Sequence, residues 1–141
     1  MAWEFPLLPI GQAVAAGDYN DATDQYLVVK PTTAAALTIT VTTAVTDFAV
    51  GVLQDRPSSG MAANVVAQGI TKVRVISTAH TAIVPGTKLT GGASGGAEPS
   101  TSLGSYVLGR SLSILAANAT GIVTMLLTHQ GAGSTGAGPS A

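Results

Sequence analysis

Apolar and hydroxyl residues alternate without a fault over Leu37-Thr38-Ile39-Thr40-Val41-Thr42. Successive side chains of a strand point to opposite faces. The pattern therefore predicts a half-buried strand with Leu37, Ile39 and Val41 inward and the threonines outward. Thr71-Lys72-Val73-Arg74-Val75-Ile76 repeats the period, with Val73 and Val75 on one face and Lys72 and Arg74 on the other. Gln25-Tyr26-Leu27-Val28-Val29-Lys30, closed by Pro31, and Phe48-Ala49-Val50-Gly51-Val52-Leu53 are denser apolar runs, read as strands from their β-branched and aromatic content. Asp55-Arg56-Pro57-Ser58-Ser59-Gly60 ends the latter as a turn.

Asn64-Val65-Val66-Ala67-Gln68-Gly69-Ile70 is read as a further strand, with Gly69 marking a bulge or sharp bend at its junction with the next. In Ile83-Val84-Pro85-Gly86-Thr87-Lys88-Leu89 a Pro-Gly turn precedes a short strand. Gly91-Gly92-Ala93-Ser94-Gly95-Gly96 reads as a flexible loop. Tyr106–Leu112 and Gly121–Leu127 complete the set. Short strands punctuated by Gly and Pro about every 8–12 residues predict an all-β fold, a single small β-barrel or β-sandwich. Two weak helical patterns occur, Gly11–Ala16 (ended by Gly17) and Ser111–Ala119, where Leu112, Leu115 and Ala116 have helical spacing.

The chain divides into an N-terminal arm and lead-in over 1–23, a β-barrel or sandwich domain over 24–130, and a Gly/Ala/Ser tail over 131–141 expected to be flexible. The 141 residues suffice for one core but not two.

Charge changes the picture by its scarcity. Only 9% of residues are charged, with six Lys and Arg against seven Asp and Glu. No basic excess exists to release counterions from a nucleic acid, so none is expected as a partner. Eighteen Thr and eleven Ser supply polarity instead, a composition associated with β-rich proteins that work in assemblies. The absence of Cys excludes disulfides, thiolate catalysis and Cys-ligated metals. Apolar runs fall far short of the roughly 20 residues of a spanning helix, so no membrane partner is expected. The N-terminus lacks a basic start and is broken by Pro6 and Pro9. It is not read as a signal peptide, and synthesis in a cytoplasm is expected.

Candidate chemistry is sparse. His80 and His129 stand in no metal-binding or catalytic spacing and read as solvated or lightly packed. Asp18-Tyr19-Asn20-Asp21-Ala22-Thr23-Asp24 superficially resembles a calcium loop. The pattern fails where the geometry is most demanding, with Thr23 in place of the required glycine and Val29 in place of the terminal glutamate. The plainer reading is side-chain-to-backbone turns leading into the first strand. Gly86-Thr87-Lys88 cannot be extended to a phosphate-binding loop, and no G-x-S-x-G occurs. No catalytic residue, metal or cofactor is therefore assigned, and the chain is not read as an enzyme.

What remains is surface. Trp3, Phe5, Pro6, Leu7, Leu8 and Ile10 form an apolar arm, in which Pro6 and Pro9 disfavour a helix and favour an extended course. The arm holds the sole Trp and one of two Phe. It either caps its own barrel or seats its rings in pockets of a neighbour.

The order of motifs carries a resemblance. An alternating strand is followed by Val50-Gly51-Val52-Leu53, Ala62–Ile70, Ile83–Leu89, Leu108-Gly109-Arg110-Ser111-Leu112 and Gly121–Leu126. Over roughly Val50 to Leu127 this resembles the tailed-phage capsid decoration, or head cement, proteins, small β-barrels sometimes mislabelled recombinase-like. The resemblance implies a homotrimer on the outer surface of an icosahedral virion. It would bind the major capsid protein, bridge its subunits and stabilise the shell, without a reaction or cofactor. Trp3, Phe5, Pro6, Leu7, Leu8 and Ile10 would then be the capsid or subunit contacts. The competing reading is a host-surface or glycan-binding β domain of a phage particle, against which the scatter of Tyr19, Tyr26, Phe48 and Tyr106 along the chain counts.

Overall fold

A computed structural model of the chain describes residues 13–33 and 35–132. The chain adopts the all-β fold that the alternation predicts, built as two sheets. The first contains β1 (Ala13–Ala15), β2 (Val28–Pro31), β3 (Thr38–Val41), β4 (Gly51–Leu53), β5 (Ala62–Ala63) and β6 (Val65–Val66), in the order β5-β1-β3-β2-β4-β6. The second contains β7 (Gly69–Val75), β8 (Lys88–Gly91), β9 (Ala97–Pro99), β10 (Tyr106–Ser111) and β11 (Gly121–Ala132), in the order β7-β11-β10-β8-β9. Pairing is antiparallel except between β1 and β3.

The first sheet is a nearly closed barrel, and its topology shows why. β5 and β6 lie at opposite edges, yet Asn64 alone separates them in sequence. Consecutive Cα atoms are about 3.8 Å apart, so the two edges must meet. Asp55 pins the seam by accepting hydrogen bonds from the Asn64 main-chain N–H and from its Nδ2 at 2.8 Å. The second sheet curls against this barrel as a half-barrel.

Two cores result. Val29, Ile39, Leu53, Ala63 and Val65 fill the barrel, together with Ala15 and Tyr19. Val28 and Val52 instead join Val73, Val75, Leu89, Leu108, Val123 and Met125 between the sheets. β2 and β4 are thus buried on both faces, which is why they are written as apolar runs. β3 has one buried face and alternates. Its central Ile39 is buried as expected, but Leu37 is 71% exposed, at φ +57 in the turn before the strand. Thr42, expected outward, is fully buried.

The Gly91–Gly96 segment is not a loose loop. It is a packed joint that includes a 3-10 turn at Ala93–Gly95. The Thr42 hydroxyl donates to the Gly92 carbonyl at 2.9 Å, and the Gly95 N–H donates to the Thr42 carbonyl at 2.9 Å. A Cβ on Gly91 would lie 2.7 Å from Val28, and one on Gly95 would lie 2.9 Å from the Val41 Cβ. The glycines let the second sheet press its backbone into the first.

Other local expectations are corrected by pairing. Ala13–Ala15, inside the first weak helical pattern, is a strand wedged between β3 and β5. Leu115, inside the second, forms a reciprocal main-chain bridge with Ile83 at 2.9 Å each way. In both cases non-local hydrogen bonds overrode a weak local period. The run from Asn64 to Ile70 breaks in two, and Gly69 at φ +90 starts β7. The Pro-Gly turn forms as expected: the Thr87 N–H donates to the Val84 carbonyl at 3.0 Å and Gly86 takes φ +95, the type II arrangement.

Candidate interaction surface

The outer face of the second sheet follows from the same alternation that fills its core. Val73, Val75, Val123, Met125 and Leu127 point inward and are buried. Their sequence neighbours must then point out. In β7 these are Ile70, Lys72 and Arg74; in β11 they are Ile122, Thr124 and Leu126. Register aligns them in rows: Ile70 opposes Leu126, Leu126 opposes Arg110, and Arg110 opposes Lys88. Lys72 faces Thr124 and Arg74 faces Ile122 one and two rows on. Ile70 is 63% exposed and Leu126 38%, so this face is aliphatic as well as cationic.

Four of the chain's six Lys and Arg lie here. Arg74 is committed to the fold, with Nε donating to the Gln25 carbonyl at 3.2 Å and Nη2 to the Ala22 carbonyl at 3.3 Å. Arg110 Nη1 donates to the Gly86 carbonyl at 3.1 Å. Lys72 Nζ stands 5.9 Å from the centre of the Tyr26 ring, a cation–π distance. Among the described residues the ion pair that forms is elsewhere, Lys30 with Asp47 at 2.8 Å.

The charges are segregated. Over 13–68, five Asp outnumber Lys30 and Arg56; over 69–132, Glu98 is outnumbered by Lys72, Arg74, Lys88 and Arg110. A chain with almost no net charge thus carries an acidic barrel and a basic second sheet. Asp47 belongs to the acidic side. Burial pushes its carboxyl up, but Lys30, the Thr43 and Ala44 amides and the Thr43 hydroxyl outweigh this and hold it at about 2.

Other candidates resolve into structure. Asp24 Oδ2 accepts from the Asp21 N–H, Asp18 Oδ1 from the Ser59 N–H, and Asn20 Oδ1 from the Ser58 hydroxyl. The first is a local turn of the kind expected, whereas Asp18 and Asn20 tie the segment to the distant Ser58-Ser59 turn. Among the described residues no group of three metal-ligating side chains converges. The His80 ring nitrogens lie 2.6 and 2.8 Å from the Thr81 and Ala119 carbonyls, and His129 contacts the Ala67 carbonyl. An open groove of about 510 Å³ lies between the sheets, where Asp24, Arg74 and Ser94 meet Leu27.

Trp3, Phe5, Pro6, Leu7, Leu8 and Ile10 lie outside the described residues. The alternation in β7 had already placed Lys72 and Arg74 outward. That Lys88, Arg110, Ile122 and Leu126 join them needed the register, which no local pattern carries. The aromatics, scattered in sequence, also partly converge: the rings of Phe48 and Tyr106 meet edge to face at 5.2 Å, with Phe48 59% exposed. Burial pushes the Tyr106 hydroxyl above its ordinary value.

No family model matches the chain, and no curated protein matches it in sequence. Among solved structures, the fold is similar to that of the head fiber gp8.5 N base of bacteriophage phi29, with a TM-score of 0.62 and 17% identity. The match covers 86% of this chain and 94% of that one. The two-sheet architecture described here is thus shared nearly end to end with the base of a phage head fiber.

Proposed function

We propose that this chain is a structural protein of a phage virion, attached to the outside of an icosahedral head, where it decorates and stabilises the shell by bridging major capsid protein subunits. The observation that carries the reading is the shared fold with the phi29 head fiber base over 94% of that chain. The motif order over Val50 to Leu127 supports it independently. No reaction is assigned.

In this reading the chain has an arm and lead-in over 1–23, of which Ala13–Ala15 and Tyr19 are built into the barrel, a β body over 24–130 and a tail over 131–141 that begins with the end of β11, and it acts as a homotrimer. Trp3, Phe5, Pro6, Leu7, Leu8 and Ile10 are its capsid or subunit contacts, rings and aliphatics that lose solvent on docking. Repetition by symmetry turns modest contacts into firm attachment through avidity.

The test is co-sedimentation of the purified protein with expanded heads of the encoding phage. The full chain is expected to pellet with the heads; deletion of residues 1–10 is expected to leave a folded protein that stays in the supernatant. A folded truncation that still binds would remove the arm from the mechanism, and failure of the full chain to bind would reject the function. Sedimentation velocity of the free protein tests the trimer.

The exposed Phe48 ring propped by Tyr106 favours one second reading, a host-surface or glycan-binding domain of a phage particle. Glycan-array binding abolished by Phe48→Ala would support it over capsid attachment.

A further inference from the structure

We infer that the outer face of the second sheet is the surface that lies against the head shell, and that it meets an acidic, partly apolar patch of the shell protein there. The inference rests on the head-attachment reading and adds to it which face docks and what chemistry receives it.

Three observations on the molecule lead to this face. The first is the segregation of charge, which leaves the second sheet basic in a chain whose net charge is −1. Such a molecule is oriented by a negatively charged surface before it touches it.

The second is the direct opposition of Lys88 and Arg110 across β8 and β10. Like charges placed opposite each other weaken a sheet. For Lys88 that cost falls when negative charge approaches from outside. Among the described residues, no carboxylate lies within ion-pairing distance of Lys72 or Lys88.

The third is the aliphatic component. Ile70, Ile122 and Leu126 point outward from paired strands of this face, between the cations. Interleaved aliphatics gain from a protein surface that removes them from water. They gain little from a phosphate backbone, which offers charge without apolar cover. Nor does the face suit a second copy of itself, since a two-fold pairing would set cation against cation.

The experiment measures binding of fluorescently labelled full-length protein to expanded heads of the encoding phage, at salt from about 50 mM to about 500 mM. Lys72→Glu, Lys88→Glu and Arg56→Glu are compared. All three change net charge equally, but Arg56 lies exposed in the acidic half. The expected result is at least about a tenfold loss for Lys72→Glu and for Lys88→Glu at low salt, and less than about twofold for Arg56→Glu. The unaltered protein should also bind more weakly as salt rises, which needs no variant to fold. Head binding that ignores salt and both sheet variants would overturn the docking face while leaving head attachment standing. Equal losses for all three variants would overturn it too, by reporting total charge rather than place. No binding of the unaltered protein to heads would sink both the face and the function it rests on.

Discussion

Val28 and Val29 are adjacent in β2, both fully buried, and point into different cores: Val28 into the space between the sheets, Val29 into the barrel. One strand therefore belongs to both halves of the molecule, and β4 repeats the arrangement with Val52 and Leu53.

The shared strands make the two halves one cooperative unit. Val28→Ala and Val29→Ala are each expected to cost about 2 kcal/mol, the loss of two buried methyl groups plus the cavity they leave. Urea denaturation followed by circular dichroism should show a single transition with a lowered midpoint for both variants. A second transition in either would show that the halves unfold separately.

Gly95 and Gly60 separate backbone strain from crowding. Both take positive φ, +76 and +82, but a Cβ at Gly95 meets Val41 and Leu27 whereas one at Gly60 meets open space. Gly60→Ala should cost about 1 kcal/mol, the price of a left-handed alanine. Gly95→Ala should cost clearly more, about 3 kcal/mol, because the joint must also open. Paired thermal melts check the difference.

Asp47 gives the fold an acid-sensitive tie. Against the push of burial, Lys30 and the Thr43 and Ala44 amides hold its carboxyl at about 2 when folded, below the ordinary aspartate value, so the folded state prefers the ionised form more than the unfolded state does. Its contribution is complete above about pH 4 and is lost as pH falls from there toward 2. Asp47→Asn should be less stable than the parent at neutral pH. The gap should narrow across that window in denaturation curves taken at successive pH values.

Ser105 should be replaceable at no cost. Its hydroxyl is buried and, among the described residues, meets no hydrogen-bond partner. Ser105→Ala removes a desolvated polar atom, and the expected change runs from zero to about 1 kcal/mol of added stability by the same denaturation assay. A loss above that range would mean the hydroxyl is satisfied.

The sequence made some of this legible and hid the rest for identifiable reasons. A strand with one buried face advertises itself, and the alternation over Thr38–Val41 and Thr71–Val75 marks Ile39, Val73 and Val75 as the inward residues that they are. A strand buried on both faces loses the alternation, so Leu27-Val28-Val29 announced burial without saying that it had two directions. Glycine is ambiguous by nature: Gly91–Gly96 reads identically whether the chain is loose or tightly pressed, and only Thr42, Val28 and Val41 around it decide. The short β9 is invisible locally because Ala97-Glu98-Pro99 has no strand signature; it forms because β8 offers it a partner. The outward cations of β7 were visible locally. Their union with Lys88 and Arg110 required long-range pairing, which one sequence does not record.

The one-residue seam at Asn64 has a consequence for life at high density. Unpaired strand margins invite other copies to zip on, and the hazard grows with local concentration. By turning one margin of the first sheet directly into the other, Ala62–Val66 leaves that sheet little free rim to recruit a stranger. A crowded neighbour is thereby denied one of the two sheets as a template, and the margins left to it are those of β7 and β9 in the second.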